Sequence, residues 1–347
     1  MQKTYDLHIL AEIPLVTPKT LKGKHPMVDQ SNKTVIASRQ VIKNILEKQD
    51  GRLLAIVGPC SIHDYSAAVD YASRLNELRE KLQERLYVVM RVYFEKPRTT
   101  LGWRGLIIDP HIDGTNDISE GLTIARKLLL EITSMGLPVA TEMLDPYVPQ
   151  YIDDLISWAA IGARTTESQT HRNMASGLSM PVGFKNSTDG NLQIAIDAMS
   201  SAQSQHSFLG IDKNGKTCIL KTSGNPYTHI ILRGGRNQPN FRQRDIDFAD
   251  QLLTKGGFQS AIMIDCSHGN SGKNPFKQAD VLKSILRSRR KGYKNIIGFM
   301  LESNLREGKQ EIPEDLNQLA YGLSITDACI GWEQTEELLF FAFDSMI

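Results

Sequence analysis

From residue 53 onward, short apolar runs alternate with longer stretches in which apolar side chains recur every three or four positions. The runs are LLAIVGP (53–59), YVVMRVYF (87–94), PVATEML (138–144), WAAIGAR (158–164), PVGFKN (181–186), HIILRGG (229–235), AIMIDCSH (261–268) and IIGFMLES (296–303). Most are rich in Val, Ile, Leu and Phe and alternate little, as strands do when a parallel sheet is covered on both faces. The stretches between them include SAAVDYASRLNELREKLQERL, EGLTIARKLLLEITSMG, RDIDFADQLLTKGG and QADVLKSILRSRRKG. These read as amphipathic helices, and the last three end in glycine, a common helix terminator. Strand-then-helix units repeated in this way predict an α/β fold, a closed (β/α)8 TIM barrel. The alternative is an open doubly wound sheet, but no G-x-G-x-x-G follows any strand.

Two segments fall outside that rhythm. Residues 1–50 precede the first strand and contain the helix-like ASRQVIKNILEKQ, so the chain divides into an N-terminal extension (1–50) and a catalytic barrel (51–347). Between the fifth helix and the sixth strand, residues 206–228 read HSFLGIDKNGKTCILKTSGNPYT. Two β-rich runs flank Lys213-Asn214-Gly215-Lys216, and Asn-Gly is a strong turn signal, so an extra β-hairpin is expected here. Neither addition is needed to close a barrel, and both read as devices for assembly or regulation. Residues 210–217, GIDKNGKT, also match a phosphate-binding loop letter for letter. That loop requires a helix to start at once, and CILKTSGNP follows instead, so the hairpin is the reading.

Composition narrows the function without naming it. Of the 347 residues, 41% are apolar and 23% charged, ordinary values for a soluble globular protein. A net charge of +1 gives no global field favouring nucleic acid or a membrane surface. No apolar stretch approaches the ~18 residues of a membrane span, and MQKTYDLHIL lacks the pattern of a signal peptide. Cys60, Cys218, Cys266 and Cys329 are far apart with no CxxC pair, as expected of reduced thiols in the cytoplasm.

In a (β/α)8 barrel, chemistry collects where the strands end. Arg91, Lys96, Arg164, Lys185 and Arg233 all fall at such ends, with Arg98 close behind. Unpaired cations do not gather for stability, because repulsion and desolvation oppose it. They gather around a polyanion, here a phosphate with or without a carboxylate. A second set, Cys60, His268, Glu302 and Asp327, mixes one sulfur, one imidazole and two carboxylates, which suits one divalent ion of Mn2+, Fe2+, Co2+ or Zn2+. Taken singly, each has a plainer reading: Cys60 as a buried thiol, Glu302 as partner to an arginine, His268 as a structural histidine.

The motifs LLAIVGPCSIHD, VVMRVYFEKPRTTLGWRGLI, IGARTTESQTHR, SGLSMPVGFKN, HIILRGG, MIDCSHGNS, GFMLESN and SITDACIGWE resemble the class I family of 3-deoxy-D-arabino-heptulosonate 7-phosphate synthases, from about residue 4 to about residue 340. The resemblance implies condensation of phosphoenolpyruvate with erythrose 4-phosphate, which opens the shikimate route to aromatic amino acids. It implies metal ligation by Cys60, His268, Glu302 and Asp327. It implies phosphoenolpyruvate contacts from Arg91, Lys96, Glu142, Ala163, Arg164, Lys185 and Arg233, and an erythrose 4-phosphate segment at Lys96, Pro97, Arg98 and Thr99. Lys96, His268, Cys60 and Asp327 are the candidates for direct catalytic roles, with a metal-bound water competing for the proton transfers.

The resemblance also implies inhibition by an aromatic amino acid near Asp6, Pro149, Gln150, Gly177, Ser179, Phe208, Gly210 and Leu220. Gly210 stands where phenylalanine-sensitive relatives carry serine, which favours tyrosine, with phenylalanine the alternative. A homodimer or homotetramer is expected, with the N-terminal arm crossing a subunit boundary. The competing functions are a related synthase using another aldose phosphate, such as arabinose 5-phosphate, and a barrel that only senses aromatic amino acids.

Overall fold

The computed structural model describes residues 2–98 and 101–346; Thr99, one of the expected erythrose 4-phosphate contacts, lies outside them. Two helices, α1 (Pro18–Lys24) and α2 (Asp29–Leu46), precede the first strand. The chain continues through β1 (Leu53–Gly58), α3 (Tyr65–Leu82), β2 (Leu86–Arg91), α4 (Ile118–Ser134), β3 (Val139–Glu142) and the single turn α5 (Pro149–Ile152). Then come β4 (Trp158–Ile161), α6 (Gln169–Gly177), β5 (Val182–Lys185), α7 (Gln193–Gln203), β6 (His206–Ile211) and β7 (Thr217–Thr222). The remainder is β8 (Thr228–Leu232), α8 (Gln243–Lys255), β9 (Ile262–Asp265), α9 (His268–Ser271), α10 (Gln278–Arg290), β10 (Ile296–Glu302) and α11 (Trp332–Asp344).

All the predicted apolar runs form strands, and they close into one parallel barrel in the order β1, β2, β3, β4, β5, β8, β9, β10 and back to β1. Closure excludes the open sheet. β6 and β7 pair antiparallel as a separate hairpin, with Gly215 in the turn at φ 77°. The stretch that mimics a phosphate loop is therefore the tip of this hairpin, as the β-branched residues after it predict.

Side chains alternate along each strand, so every barrel strand has one face towards the helices and one towards the axis. Leu53, Ala55 and Val57 pack outwards into the main core, whereas Leu54 and Ile56 face inwards with Val89, Ala140, Trp158, Ala160, Ile231, Met263 and Met300. Ile42, Ile45 and Leu46 of α2 join that inner cluster. Part of the N-terminal segment thus packs into the barrel's own core, where its periodic apolar face finds cover.

Residues 2–15 form an exposed arm that displays Tyr5, Leu7, Leu10 and Ile13. The hairpin tip docks on α1, where the Lys19 amide donates to Lys213 O at 2.8 Å. No helix among the described residues is long and apolar enough to cross a membrane.

Candidate active site

The alternation that fills the barrel also builds its mouth. Two residues beyond the inward Val89, Ala140, Ile231, Met263 and Met300 come Arg91, Glu142, Arg233, Asp265 and Glu302. Lys185 occupies the matching place two residues beyond Gly183 in β5. The topmost inward layer is therefore charged while the layers below are apolar. It opens on a cleft of about 250 Å3 lined by Arg91, Lys96, Pro97, Arg98, Glu142, Ala163, Arg164, Lys185, Arg233, His268 and Asp327. These include every predicted substrate residue apart from Thr99, together with His268 and Asp327 of the expected metal set. Glycine at 162 lets Glu142 keep this position; a Cβ there would lie 2.2 Å from Glu142 Oε1 and make the carboxylate shift.

The cations are not equivalent. Arg91 is 1% exposed and donates from Nη2 to Glu302 Oε1 at 2.9 Å and from Nε to Pro59 O at 3.0 Å. Its guanidinium lies 3.7 Å from the Tyr93 ring centroid. Its Nη1 is buried with no partner among the described residues. Lys185 Nζ donates to Asp265 Oδ2 at 3.0 Å. By contrast, among the described residues Lys96, Arg98, Arg164 and Arg233 form no ion pair with a carboxylate. Burial lowers the pKa of Arg233; Asp265 opposes that effect and Arg164 adds to it. Crowded cations with spare donors are what a bound anion would satisfy.

Beneath the cleft, ligand atoms of Cys60, Glu302 and Asp327 all lie within 4.8 Å of one another. His268 falls outside that mutual radius, but its Nε2 comes to 3.7 Å from Glu302 Oε1. Ser267 Oγ donates to Asp265 Oδ1 at 2.6 Å. Its oxygen and Asp265 Oδ2 are then the acceptors for His268 Nδ1, at 2.7 Å and 3.0 Å. That arrangement puts the ring proton on Nδ1 and leaves the Nε2 lone pair free, the tautomer a ligating histidine needs. Gln278 grips the Glu302 backbone from both sides, at 2.9 and 2.8 Å. Ser61 and Thr326 hydroxyls, 2.8 Å apart, tie the Cys60 loop to the Asp327 loop. Sulfur, imidazole and carboxylate donors in this grouping fit a divalent transition ion.

Lys96 Nζ sits 3.0 Å from both Cys60 Sγ and Cys60 O. Burial and Glu302 push the Cys60 thiol above its usual range while Lys96 pulls the other way. Burial also works against the Asp265 charge, but Lys185 and His268 hold its carboxyl well below the ordinary value. Asp265 is the functional residue that sequence reasoning left without a role: one carboxylate orients both a cleft lysine and the histidine. The signal was present in its parity with Met263. Arg91 and Glu302 satisfy the plain ion-pair reading and still line the mouth.

The effector candidates separate into groups. The hairpin brings Phe208 opposite Leu220. It packs on the end of α6, where a Cβ on Gly177 would meet Thr222 Cγ2 at 2.8 Å and Ser176 Oγ lies 2.7 Å from Thr222 Oγ1. Ser179 follows this helix end closely in the chain. Pro149 and Gln150 lie on α5, linked to the chain before α1 through Tyr151, whose hydroxyl donates to Val16 O at 2.7 Å. Asp6 stands in the exposed arm. The space that Gly210 leaves is filled by Leu220, whose Cδ1 would lie 2.4 Å from a Cβ at position 210.

A closed barrel whose mouth joins an anion-binding cation cluster to a Cys/Glu/Asp group defines an enzyme of the (β/α)8 class that handles a phosphorylated substrate. The chain belongs to the DAHP synthetase I family, whose sequence profile covers residues 28–340. It is 52% identical over 334 residues to the Tyr-sensitive phospho-2-dehydro-3-deoxyheptonate aldolase of Escherichia coli K12, covering 96% of this chain and 94% of that protein. It is 53% identical over 334 residues to the Phe-sensitive counterpart of the same organism, covering 96% and 95%. Its fold is similar to the phospho-2-dehydro-3-deoxyheptonate aldolase of Francisella tularensis SCHU S4, with a TM-score of 0.95, 46% identity and coverage of 97% and 98%. Overall identity does not separate the two effector classes.

Proposed function

We propose that the chain condenses phosphoenolpyruvate with erythrose 4-phosphate and water to give 3-deoxy-D-arabino-heptulosonate 7-phosphate and phosphate, the first step towards the aromatic amino acids. The observation that carries this reading is the cluster of cations without carboxylate partners among the described residues, Lys96, Arg98, Arg164 and Arg233, lining one cleft above Cys60, Glu302 and Asp327. Phosphoenolpyruvate sets a phosphate beside a carboxylate, the charge pattern such a cleft would clamp. Arg164, Lys185 and Arg233 take the phosphate, and Arg91 offers its spare Nη1 nearby. Arg98, with Thr99, takes the distal phosphate of the aldose, and Ala163 and Pro97 shape the walls.

Held this way, C3 of phosphoenolpyruvate faces the aldehyde carbon, and proximity supplies much of the rate. The C3–C1 bond forms, positive charge grows at C2, and water adds there. The C2–O bond to phosphate then breaks, and its electron pair leaves with the phosphate. Lys96 Nζ is placed to hold a proton near the new alkoxide, with His268 the other candidate. A divalent ion held by Cys60, His268, Glu302 and Asp327 supplies Lewis acidity to the aldehyde oxygen when bound.

The 1–50 segment and the hairpin form the regulatory and assembly apparatus. An aromatic amino acid binds by the hairpin and α6, and tyrosine is favoured because Leu220 can turn away from Gly210 to admit a phenol hydroxyl. The chain works as a dimer or tetramer.

The test is a condensation assay after chelation, with each divalent metal and then each aromatic amino acid restored in turn. Activity that returns with metal and falls with tyrosine is expected. Arabinose 5-phosphate accepted in place of erythrose 4-phosphate, or tyrosine binding with no phosphate release, would overturn the reading. Cys60→Ala should lose bound metal by elemental analysis together with activity; full metal content in that variant would remove Cys60 from the ligand set.

A further inference from the structure

Beside the cleft lies a second chamber of about 530 Å3 that shares Arg164, Arg233, His268 and Lys273 with it. Its other walls bring Thr188 and Arg236, and neither these nor the shared Lys273 has so far been employed by the reaction. No carboxylate lines it among the described residues. Behind its walls, Asp265 is bonded to His268, and Asp189, the acidic neighbour of Arg236, already accepts from the Ser187 hydroxyl and the Asn191 amide.

The chamber is built rather than left over. Its loops follow β5, β8 and β9 and meet backbone against backbone: a Cβ on Gly234 would lie 2.4 Å from Gly269 C, and one on Gly235 would lie 2.5 Å from Asp189 O. Buried amides lock them together. Arg233 N donates to Asn186 Oδ1 at 2.8 Å, Gly234 N to Asn240 Oδ1 at 2.7 Å, and Asn240 N to Asn270 Oδ1 at 2.8 Å. Such a network holds a fixed recess.

We infer that this chamber receives inorganic phosphate as it leaves the reaction. The inference rests on the condensation proposed above. When the C2–O bond breaks, C2 keeps the oxygen delivered by water and becomes the keto carbon as that hydroxyl gives up its proton, and the electron pair of the broken bond departs on phosphate. The seven-carbon product still fills the main cleft at that moment, so the way out through the cleft is blocked. Arg164, Arg233 and Lys273 stand in the wall between the two spaces and can follow the phosphate across it, with Arg236 next in line. The alternative phosphate, that of the aldose, belongs with Lys96, Pro97 and Arg98, which line the cleft and not the chamber.

Product inhibition by inorganic phosphate tests this, with phosphoenolpyruvate varied at saturating erythrose 4-phosphate. Phosphate should lower the maximal rate as well as compete with phosphoenolpyruvate, because the chamber is open while the cleft is full. In Arg236→Glu, an exposed position, the effect on maximal rate should vanish and leave pure competition, with the KM for both substrates and thermal melting unchanged. Purely competitive inhibition in the unmodified enzyme would overturn the inference, as would an intercept effect that survives both Arg236→Glu and Arg236→Ala/Lys273→Ala. A raised erythrose 4-phosphate KM in Arg236→Glu would assign the chamber to the aldose instead. Absence of any condensation without added phosphate would count against the reaction itself, not against the chamber.

Discussion

Glu95 sits in the chain between Phe94, which is core, and Lys96, which is cleft. It is 4% exposed, and the Asp145 amide reaches its Oε1 at 3.3 Å. Burial and the nearby Asp145 charge push its pKa up to about 8. An unfolded glutamate titrates at ~4.3, so between those values the folded chain holds a proton the unfolded chain has lost. Stability therefore falls as pH rises from the unfolded value through about 8 and levels off above it. Glu95→Gln keeps an amide acceptor and removes that titration. The variant should gain stability over the parent as pH rises from about 5 to about 8, with a constant gap beyond. Urea unfolding at a series of pH values reads it, and a gap independent of pH would show that Glu95 is charged in the fold. Arg91, Lys185, Arg233 and Glu302 were legible one by one in the sequence, because a charge two places beyond an inward apolar residue stands out. The link from Asp265 to Lys185 was not, since it joins β9 to β5 past the intervening β8.

Among elements, the strands and most helices announced themselves by periodicity, because burial on both faces or on one face leaves a direct imprint on residue choice. The segment after β3 did not: it yields only α5 and a further tight turn before β4. What fixes that segment is Arg126 from α4, 1% exposed, which grips Asp154 through Nη1 at 2.9 Å and Nη2 at 3.0 Å, while Lys22 of α1 adds a contact at 3.2 Å. Burial raises the Asp154 pKa, but Arg126 and Lys22 outweigh it and hold the carboxyl low. Its contribution is fully present above the unfolded value of ~3.9 and is lost as pH falls through the depressed folded value. Asp154→Asn should cost about 1–2 kcal/mol at neutral pH, less than a fully buried pair because the aspartate is partly exposed. Acid titration of both proteins should show the gap closing below about pH 4. At the hairpin, Gly210→Ser must displace Leu220. Tyrosine inhibition should weaken while the KM for phosphoenolpyruvate stays the same, and inhibition curves that superimpose would remove Gly210 from effector selection.

For the whole molecule, the arm of residues 2–15 is the feature a lone barrel does not explain. Tyr5, Leu7, Leu10 and Ile13 are exposed together on it, an apolar surface of the sort that marks an association site. Deleting residues 1–15 should shift the protein to a smaller species in light scattering and abolish feedback inhibition. Condensation should persist, since α2, which packs into the barrel interior, remains. An unchanged mass would separate the arm from assembly.

Hydrophobic spacing determined the barrel strands, the Asn-Gly turn marked the hairpin, and the cleft cations were readable at the strand ends, because burial, turn chemistry and backbone alternation act over a few residues and leave a local record. Only the tertiary structure decided which charges are spent on each other and which stand free. Arg91 with Glu302 and Lys185 with Asp265 are pairs between strands, and Leu220 fills the gap above Gly210 from the facing strand. Such contacts depend on register and barrel closure, which bring together residues far apart in the chain, and no short stretch of sequence carries that distance.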